Sequence, residues 1–370
     1  MSGTGALISL DARGAQDIFI QENFKSYSSY KSRYSRFNNF SQKPEQINFP
    51  TNSTSIKNNT LCVVEIPRRA DLITQLWLES TSDDLISSLK GTLFEFYIGG
   101  QLIDSQTFSY MSEIWQIYMA ENYSKSQCIN NLISQVNPKF FPLHFFFCDN
   151  EMFLPLVALQ YHKVEIRIKW GDQIENLVDN DIKLYGNYIY VEKPLRNYFA
   201  QQGLDFLITQ VQRVVSPLTN LATSQTRLNM RMMNHPVKAI FFGFPLPLGT
   251  TTVSNLFTFD TGTITLNSSS IFSKLSSTYF STVQGYYQTE NANLDYFVAG
   301  KCPAYTRYYM YSFGNKVNSY NISGTCNFSR ISNSVLELEG VNNTSNLDIY
   351  GVNYNVLRIQ SGMGSLVFSN

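Results

Sequence analysis

Charge is the first thing this sequence has little of. Asp, Glu, Lys and Arg make up 15% of its 370 residues, against about 25% in an ordinary soluble domain. The 28 basic and 28 acidic residues cancel, so no net field draws the chain to nucleic acid or an anionic membrane. No sequence-specific nucleic-acid partner is expected. Histidine is confined to His144, His162 and His235, with no HxH or HExxH spacing to build a metal centre. The five cysteines (Cys62, Cys128, Cys148, Cys302, Cys326) are odd in number and lack CxxC spacing, and read as reduced, buried small hydrophobes. No run approaches the ~18 apolar residues of a transmembrane helix. The opening MSGTGALISLDARGAQD has neither the basic n-region nor the apolar core of a secretory signal. Without one, Asn-x-Ser/Thr triplets such as those at Asn52 and Asn327 are not expected to meet the secretory glycosylation machinery.

Catalytic signatures are missing too. There is no GxSxG, and Asp295 stands where a Walker loop ending in Gly300-Lys301 would place its first glycine. Asp83-Asp84 lies in a Ser- and Thr-containing loop and reads as solvated rather than as an acid/base pair. No enzyme, cofactor or metal site is expected.

What is abundant is apolar and aromatic. Hydrophobic residues reach 43% and aromatics 14%, with 27 Phe and 23 Tyr. A surface with few charges and many aromatic and amide groups is one that partners cover, which favours assembly. The stretch from Leu143 to Trp170 sets the fold class. Phe153 to Leu159 is almost wholly apolar and interrupted by Pro155, after which Val164, Ile166, Ile168 and Trp170 alternate with Glu165, Arg167 and Lys169. That is a run buried on both faces leading into a strand buried on one, as in a sheet packed on another sheet. Phe140 to Phe147 and Phe153 to Leu159 supply the core.

Short strands recur along the chain at Leu61 to Ile66, Leu72 to Leu78, Thr92 to Asp104, Lys183 to Glu192 and Leu204 to Val214. Gly99-Gly100 is a hairpin signal, since the favoured two-residue turns need positive φ. Met111, Ile114, Trp115, Tyr118 and Met119 have helical spacing, placing a loop helix at Tyr110 to Glu121. A second loop helix is expected at Ile271 to Phe280 and a short polar one after Pro194. Linker residues gather at Gln212 to Gln225, after which the pattern restarts. Further strands fall at Ala239 to Phe244, Tyr305 to Phe313, Val335 to Leu338, Tyr350 to Ile359 and Ser365 to Phe368. The organisation expected is an arm (1–23), a first sandwich (24–212), a linker (213–225) and a second sandwich (226–370), all-β throughout.

Phe24 to Pro44 carries Lys25, Lys31, Arg33, Arg36 and Lys43 with no acid, interleaved with Tyr27, Tyr30, Tyr34 and Phe37. One reading is a surface meeting lipid headgroups, encapsidated DNA or acidic partners, with Lys25, Lys31, Arg33, Arg36, Tyr30 and Tyr34 as its contacts. The other is an ordinary first strand whose basic heads stay in water. Trp115 and Tyr118 are candidates for burying area between subunits.

Several of these strings resemble the major capsid proteins of nucleocytoplasmic large DNA viruses. The resemblance runs in order through Gly14-Ala15-Gln16-Asp17, Tyr34 to Phe40, the Gly99-Gly100 hairpin, Phe147-Cys148 with Leu154 to His162, Tyr185 to Phe199, and Asn234 to Lys238. Ser323 to Arg330 and Asn353 to Gly364 are the longest and most specific. Lys193 and Arg196 stand where the family carries a denser charged run. The resemblance implies a double jelly roll, two tandem eight-stranded antiparallel sandwiches. It implies a homotrimer of six-lobed, pseudo-hexagonal outline, tiling with neighbouring capsomers into an icosahedral shell above minor capsid proteins and an inner viral membrane. A virion location follows, with synthesis in the host cytoplasm. Two alternatives stay open: a shortened minor capsid paralogue, and a jelly-roll lectin whose exposed aromatics stack on sugars.

Overall fold

The computed structural model describes residues 38–50, 56–122, 125, 128–129, 139–148, 152–177, 181–216, 225–243, 259–289, 308–319, 321–341 and 347–369. Alternation dictates the elements. In the strand Val164–Lys169, Val164, Ile166 and Ile168 are buried while Glu165, Arg167 and Lys169 turn outward. In Leu93–Ile98, Phe94, Phe96 and Ile98 are fully buried. Gly99 and Gly100 both have positive φ, 56° and 81°, and close the expected hairpin onto Gln101–Thr107.

The described strands number nineteen, all paired antiparallel, in four sheets. They are β1 (Phe40–Ile47), β2 (Leu61–Glu65), β3 (Leu72–Glu79), β4 (Leu93–Ile98), β5 (Gln101–Thr107), β6 (Phe140–Pro142), β7 (Leu154–Pro155), β8 (Val164–Lys169) and β9 (Lys183–Val191). The series continues with β10 (Leu204–Ser216), β11 (Gln225–Asn229), β12 (Pro236–Gly243), β13 (Thr261–Leu266), β14 (Ser269–Ser276), β15 (Tyr308–Ser312), β16 (Cys326–Asn327), β17 (Ser334–Glu339), β18 (Leu347–Gln360) and β19 (Met363–Leu366). One sheet runs β1-β9-β3-β6 with β7 on β3, and faces β2-β8-β4-β5. The second pair is β10-β18-β12-β15 with β16 on β12, and β11-β17-β13-β14. Adding nine to each strand of the first pair gives the second, and only β19 is extra. Short helices repeat as well: a π-type helix follows β5 (Tyr110–Met119) and another follows β14 (Tyr279–Val283). Each half is thus an eight-stranded jelly roll with one short added strand, and the chain is a double jelly roll.

This repeat moves the boundary expected from the sequence. Leu204–Ser216 pairs along its whole length with β18, so the strand expected to close the first half opens the second. The changeover falls at the helix Lys193–Gln201. Of the expected linker, 213–216 belong to β10 and 217–224 lie outside the described residues, as does the arm. The helix expected at Ile271 to Phe280 is also displaced. Ser269–Ser276 is a strand, and helix begins only at Tyr279. Two register irregularities against β13 and a positive φ at Lys274 break its alternation, so its apolar residues no longer fall at period two.

In the sheet β10-β18-β12-β15, β12, β15 and the first half of β18 are buried on both faces, while β10 keeps an exposed side at Leu207 and Val215. Along β12, Ile240 and Phe242 join the core of the second jelly roll, while Ala239 and Phe241 join a cluster continuous with the core of the first. Tyr308 and Met310 point one way and Tyr309 the other, and Tyr350 and Val352 oppose Ile349. A bulge at Lys238 sets the phase of β12. Phe241→Ala therefore removes a fully buried ring from the joint between the halves. It should cost about 3–5 kcal/mol, as much as Phe242→Ala inside the second core, measured by denaturant titration. A cost under about 1 kcal/mol for Phe241→Ala would mean that the halves are only loosely packed.

Candidate functional site

No cluster of three or more His, Cys, Asp or Glu residues placed to hold a metal occurs among the described residues. The chemistry-bearing side chains collect instead where the two jelly rolls meet. The helix Tyr110–Met119 enters this joint as a wedge. Ala120 N donates to Trp115 O at 2.9 Å, the i→i+5 pattern that widens the helix. Tyr110 lies against Tyr350, and Tyr118 against Phe241, with ring centroids 5.7 and 5.4 Å apart. The Tyr118 hydroxyl donates to Tyr308 O at 3.0 Å. Trp115 stacks on the His144 imidazole at 3.6 Å and borders a cavity of about 430 Å³ with Trp77, Cys128 and Cys148.

Trp115 and Tyr118, expected to bury area between subunits, are thus already covered within the chain, at 8% and 2% exposure. Helical spacing correctly marked their apolar face, but spacing does not say what covers it. At the matching place in the second jelly roll, the helix Gln284–Gln288 leaves Tyr286 and Tyr287 63% and 66% exposed. The sequence reading passed over this pair, for which adjacent aromatics were the available signal. Lys25, Tyr30, Lys31, Arg33, Tyr34 and Arg36 lie outside the described residues. Lys43, at the end of that basic stretch, is in β1 and pairs with Glu45 at 2.7 Å. The cysteines are more varied than expected: Cys62 is buried and desolvation pushes its thiol up to about 11, whereas Cys128 is exposed and Cys148 and Cys326 half-buried.

Two edge strands face each other across the joint without merging. β5 has a bulge at Ile103, which turns Ile103 and Asp104 inward together. Asp104 Oδ1 accepts from Val211 N of β10 at 2.8 Å, and the Gln210 side-chain amide donates to Ile103 O. Side chains therefore satisfy backbone groups that a continuous sheet would have paired. Gln210 Oε1 accepts from Asn355 Nδ2 at 2.9 Å and Gln212 Nε2 donates to Asn353 Oδ1 at 2.9 Å, extending the amide network into β18. Thr107 and Tyr350 hydroxyls meet at 2.8 Å, and Arg213 reaches both oxygens of Asp348 at 2.9 Å.

A second contact joins three segments that the sequence set far apart. The turn between β18 and β19 docks on Leu159 to His162: Tyr161 N donates to Gly362 O at 2.9 Å. His162 Nδ1 lies 3.0 Å from Gly364 O and 3.2 Å from Gly364 N, so either tautomer finds a partner. From the other side Arg68 donates to Gln160 O at 2.6 Å and His162 O at 3.1 Å. The contact is close enough to need glycine. A Cβ at Gly364 would come within 2.8 Å of Leu159 Cδ2, and one at Gly99 would strike the His162 ring. Gly364→Val should lower stability by about 1–3 kcal/mol. Gly203→Ala, whose added carbon would meet nothing nearer than 3.8 Å, should stay within about 0.5 kcal/mol. Equal losses in thermal melts would remove the claim that this clasp is tightly packed.

The chain is similar over its length to known capsid proteins. Residues 196–365 match the family described as large eukaryotic DNA virus major capsid protein, and residues 28–201 match major capsid protein N-terminus. The major capsid protein of Pyramimonas orientalis virus is 32% identical over 99% of this chain and 100% of its own. That of Paramecium bursaria Chlorella virus 1 is 29% identical with the same coverage. Among solved structures, a chain of the PBCV-1 virus capsid superposes with a TM-score of 0.74 at 25% identity, covering 93% of this chain and 100% of that one. The Faustovirus major capsid protein shares the fold, with a TM-score of 0.69 at 11% identity over 96% of each chain. With the repeated jelly roll and this full-length similarity together, the chain belongs to the major capsid protein family of large eukaryotic DNA viruses, as a structural protein of the virus capsid.

Proposed function

We propose that three copies of this chain form a capsomer of six-lobed outline, and that such capsomers pack side by side into an icosahedral shell. The observation that carries this is the strand order repeated with an offset of nine, which gives each chain two like barrels. Three chains then present six lobes, a near-hexagon that tiles a surface. The role is mechanical rather than catalytic. Sheets that share dry cores, and a middle sheet whose inner strands are buried on both faces, make a stiff block. Minor capsid proteins and an inner viral membrane are the partners beneath, with synthesis in the host cytoplasm and residence in the virion. Tyr286 and Tyr287 are proposed to bury area between copies, because a pair of two-thirds-exposed aromatics is the kind of anchor that interfaces use.

Electron microscopy of the purified protein should show trimeric particles with six-lobed top views. A stable monomer in the same preparation would overturn the trimer. Replacing Tyr286 and Tyr287 with Ser should weaken trimers in light scattering while leaving the melting temperature within a few degrees, since neither ring is part of a core. Lys25, Lys31, Arg33, Arg36, Tyr30 and Tyr34 are proposed as inner-face contacts. Changing Lys31, Arg33 and Arg36 to Gln should leave trimers intact and weaken attachment to the layer beneath, and unchanged shell assembly in that variant would discard the inner-face role.

A further inference from the structure

We infer that the chain carries an open counterpart of its own internal joint: the run Tyr279–Gln288 of one copy seats on the outward face of β1-β9-β3-β6 in the next, with Tyr287 against Trp77 and Tyr185. This rests on the trimer reading and names the surface that Tyr286 and Tyr287 meet. Within the chain, the helix Tyr110–Met119 of the first jelly roll lies on the outward face of β10-β18-β12-β15. The offset of nine maps that sheet onto β1-β9-β3-β6 strand for strand. The same contact is therefore available a second time, between chains.

The two helical runs match place by place. YMSEIWQIYM (Tyr110–Met119) and YFSTVQGYYQ (Tyr279–Gln288) share Tyr at the first place, Ser at the third, a β-branched residue at the fifth and Tyr at the ninth. In the first run the fifth, eighth and ninth places, Ile114, Ile117 and Tyr118, are buried. In the second the same places, Val283, Tyr286 and Tyr287, are exposed. One face is covered in the first jelly roll and bare in the second. Adjacent bare aromatics of this kind mark a surface that a partner covers.

The seats match as well. Phe241 is the sixth residue of β12 and Trp77 the sixth of β3, and each strand has a bulge before it. Phe241 stands opposite Tyr350 on β18 and Met310 on β15, while Trp77 stands opposite Tyr185 on β9 and Pro142 on β6. Trp77 and Tyr185 stack at 5.6 Å, both half-buried. Exposed Phe140 lies on the same face, and with Trp77 and Pro142 it borders the cavity of about 430 Å³. The Tyr118 hydroxyl donates to the carbonyl of Tyr308, the first residue of β15, and the first residue of β6 is Phe140. Lys139 O accepts from Ser80 N at 2.9 Å and Leu143 N donates to Leu76 O at 3.0 Å. By the alternation of an antiparallel ladder, Phe140 O then points off the sheet edge, towards an incoming Tyr287 hydroxyl. The edges agree: β5 meets β10 within the chain, and their counterparts β14 and β1 end their sheets with Ile271 and Phe40 exposed. Joined head to tail, three chains alternate internal and external joints and close as a ring.

The test places the photoreactive residue benzoylphenylalanine at position 287 of the full chain. Irradiated trimers should give dimer and trimer bands on denaturing gels, with adducts on peptides holding Trp77 or Phe140 of another copy by mass spectrometry. Trimers whose adducts fall elsewhere, or that yield none, would overturn this seat and leave the trimer standing. A wild type that stays monomeric would remove both. Should the substituted chain fail to assemble, tryptophan emission supplies a second readout. Of the three tryptophans, Trp115 and Trp170 are buried within the chain and Trp77 is half-buried. Diluting wild-type trimers until they dissociate should move the emission to longer wavelength, and Trp77→Phe should lose most of that shift. An emission that stays still on dissociation, or an equal shift in Trp77→Phe, would overturn the inference as well.

Discussion

Everything in this molecule leans on one sheet whose inner strands have two insides. β10-β18-β12-β15 is the wall of the second sandwich and also the surface on which the first is seated. A strand with one wet face can exchange polar for apolar outward residues at little cost, but β12 has no such face, and Val237 to Gly243 are all buried. Each fully buried aromatic there contributes on the order of 1.5–3 kcal/mol by leaving water. The same residues are fixed from above and below, so the halves cannot slide without opening a core.

The joint also shows how two sheet edges can meet without fusing. An unpaired edge is a template for another strand, and β5 and β10 bring two of them together. Here a bulge, a carboxyl and a primary amide take the place of a ladder. Two separate sandwiches are kept, at the expense of placing polar groups in a dry place. Their hydrogen bonds have to be nearly complete, because a buried polar group without a partner costs roughly 1–3 kcal/mol.

Much of this could be read from residue order, and the failures have physical causes. The Val164–Lys169 alternation, the Gly99-Gly100 turn and the Phe-rich runs are local signals, and each became the expected element. The strand at Leu204 was equally visible, but its partner is β18, and nothing local says which distant strand a given strand will pair with. That is why the boundary was set too late. At β14 the bulges disguised the period. Spacing places Trp115 and Tyr118 on an apolar helix face, while the surface that covers Tyr118, Tyr308 and Phe241, depends on a second jelly roll folding back. Asp104 gave no sign at all, since an acid following Ile103 reads as an outward residue until the bulge is known.

The position of β18 in the order of synthesis has a consequence of its own. It is an inner strand, flanked by β10 and β12, yet it begins only at Leu347. A nascent chain on the ribosome can complete the first sandwich early, but the seat for its partner stays open until the final strands emerge. Until then Phe241, Tyr308 and their neighbours present a broad greasy surface, and pairings over such long sequence separations form slowly. A chaperone that shields this surface during translation would act at the one stage when the protein is most exposed to its own kind.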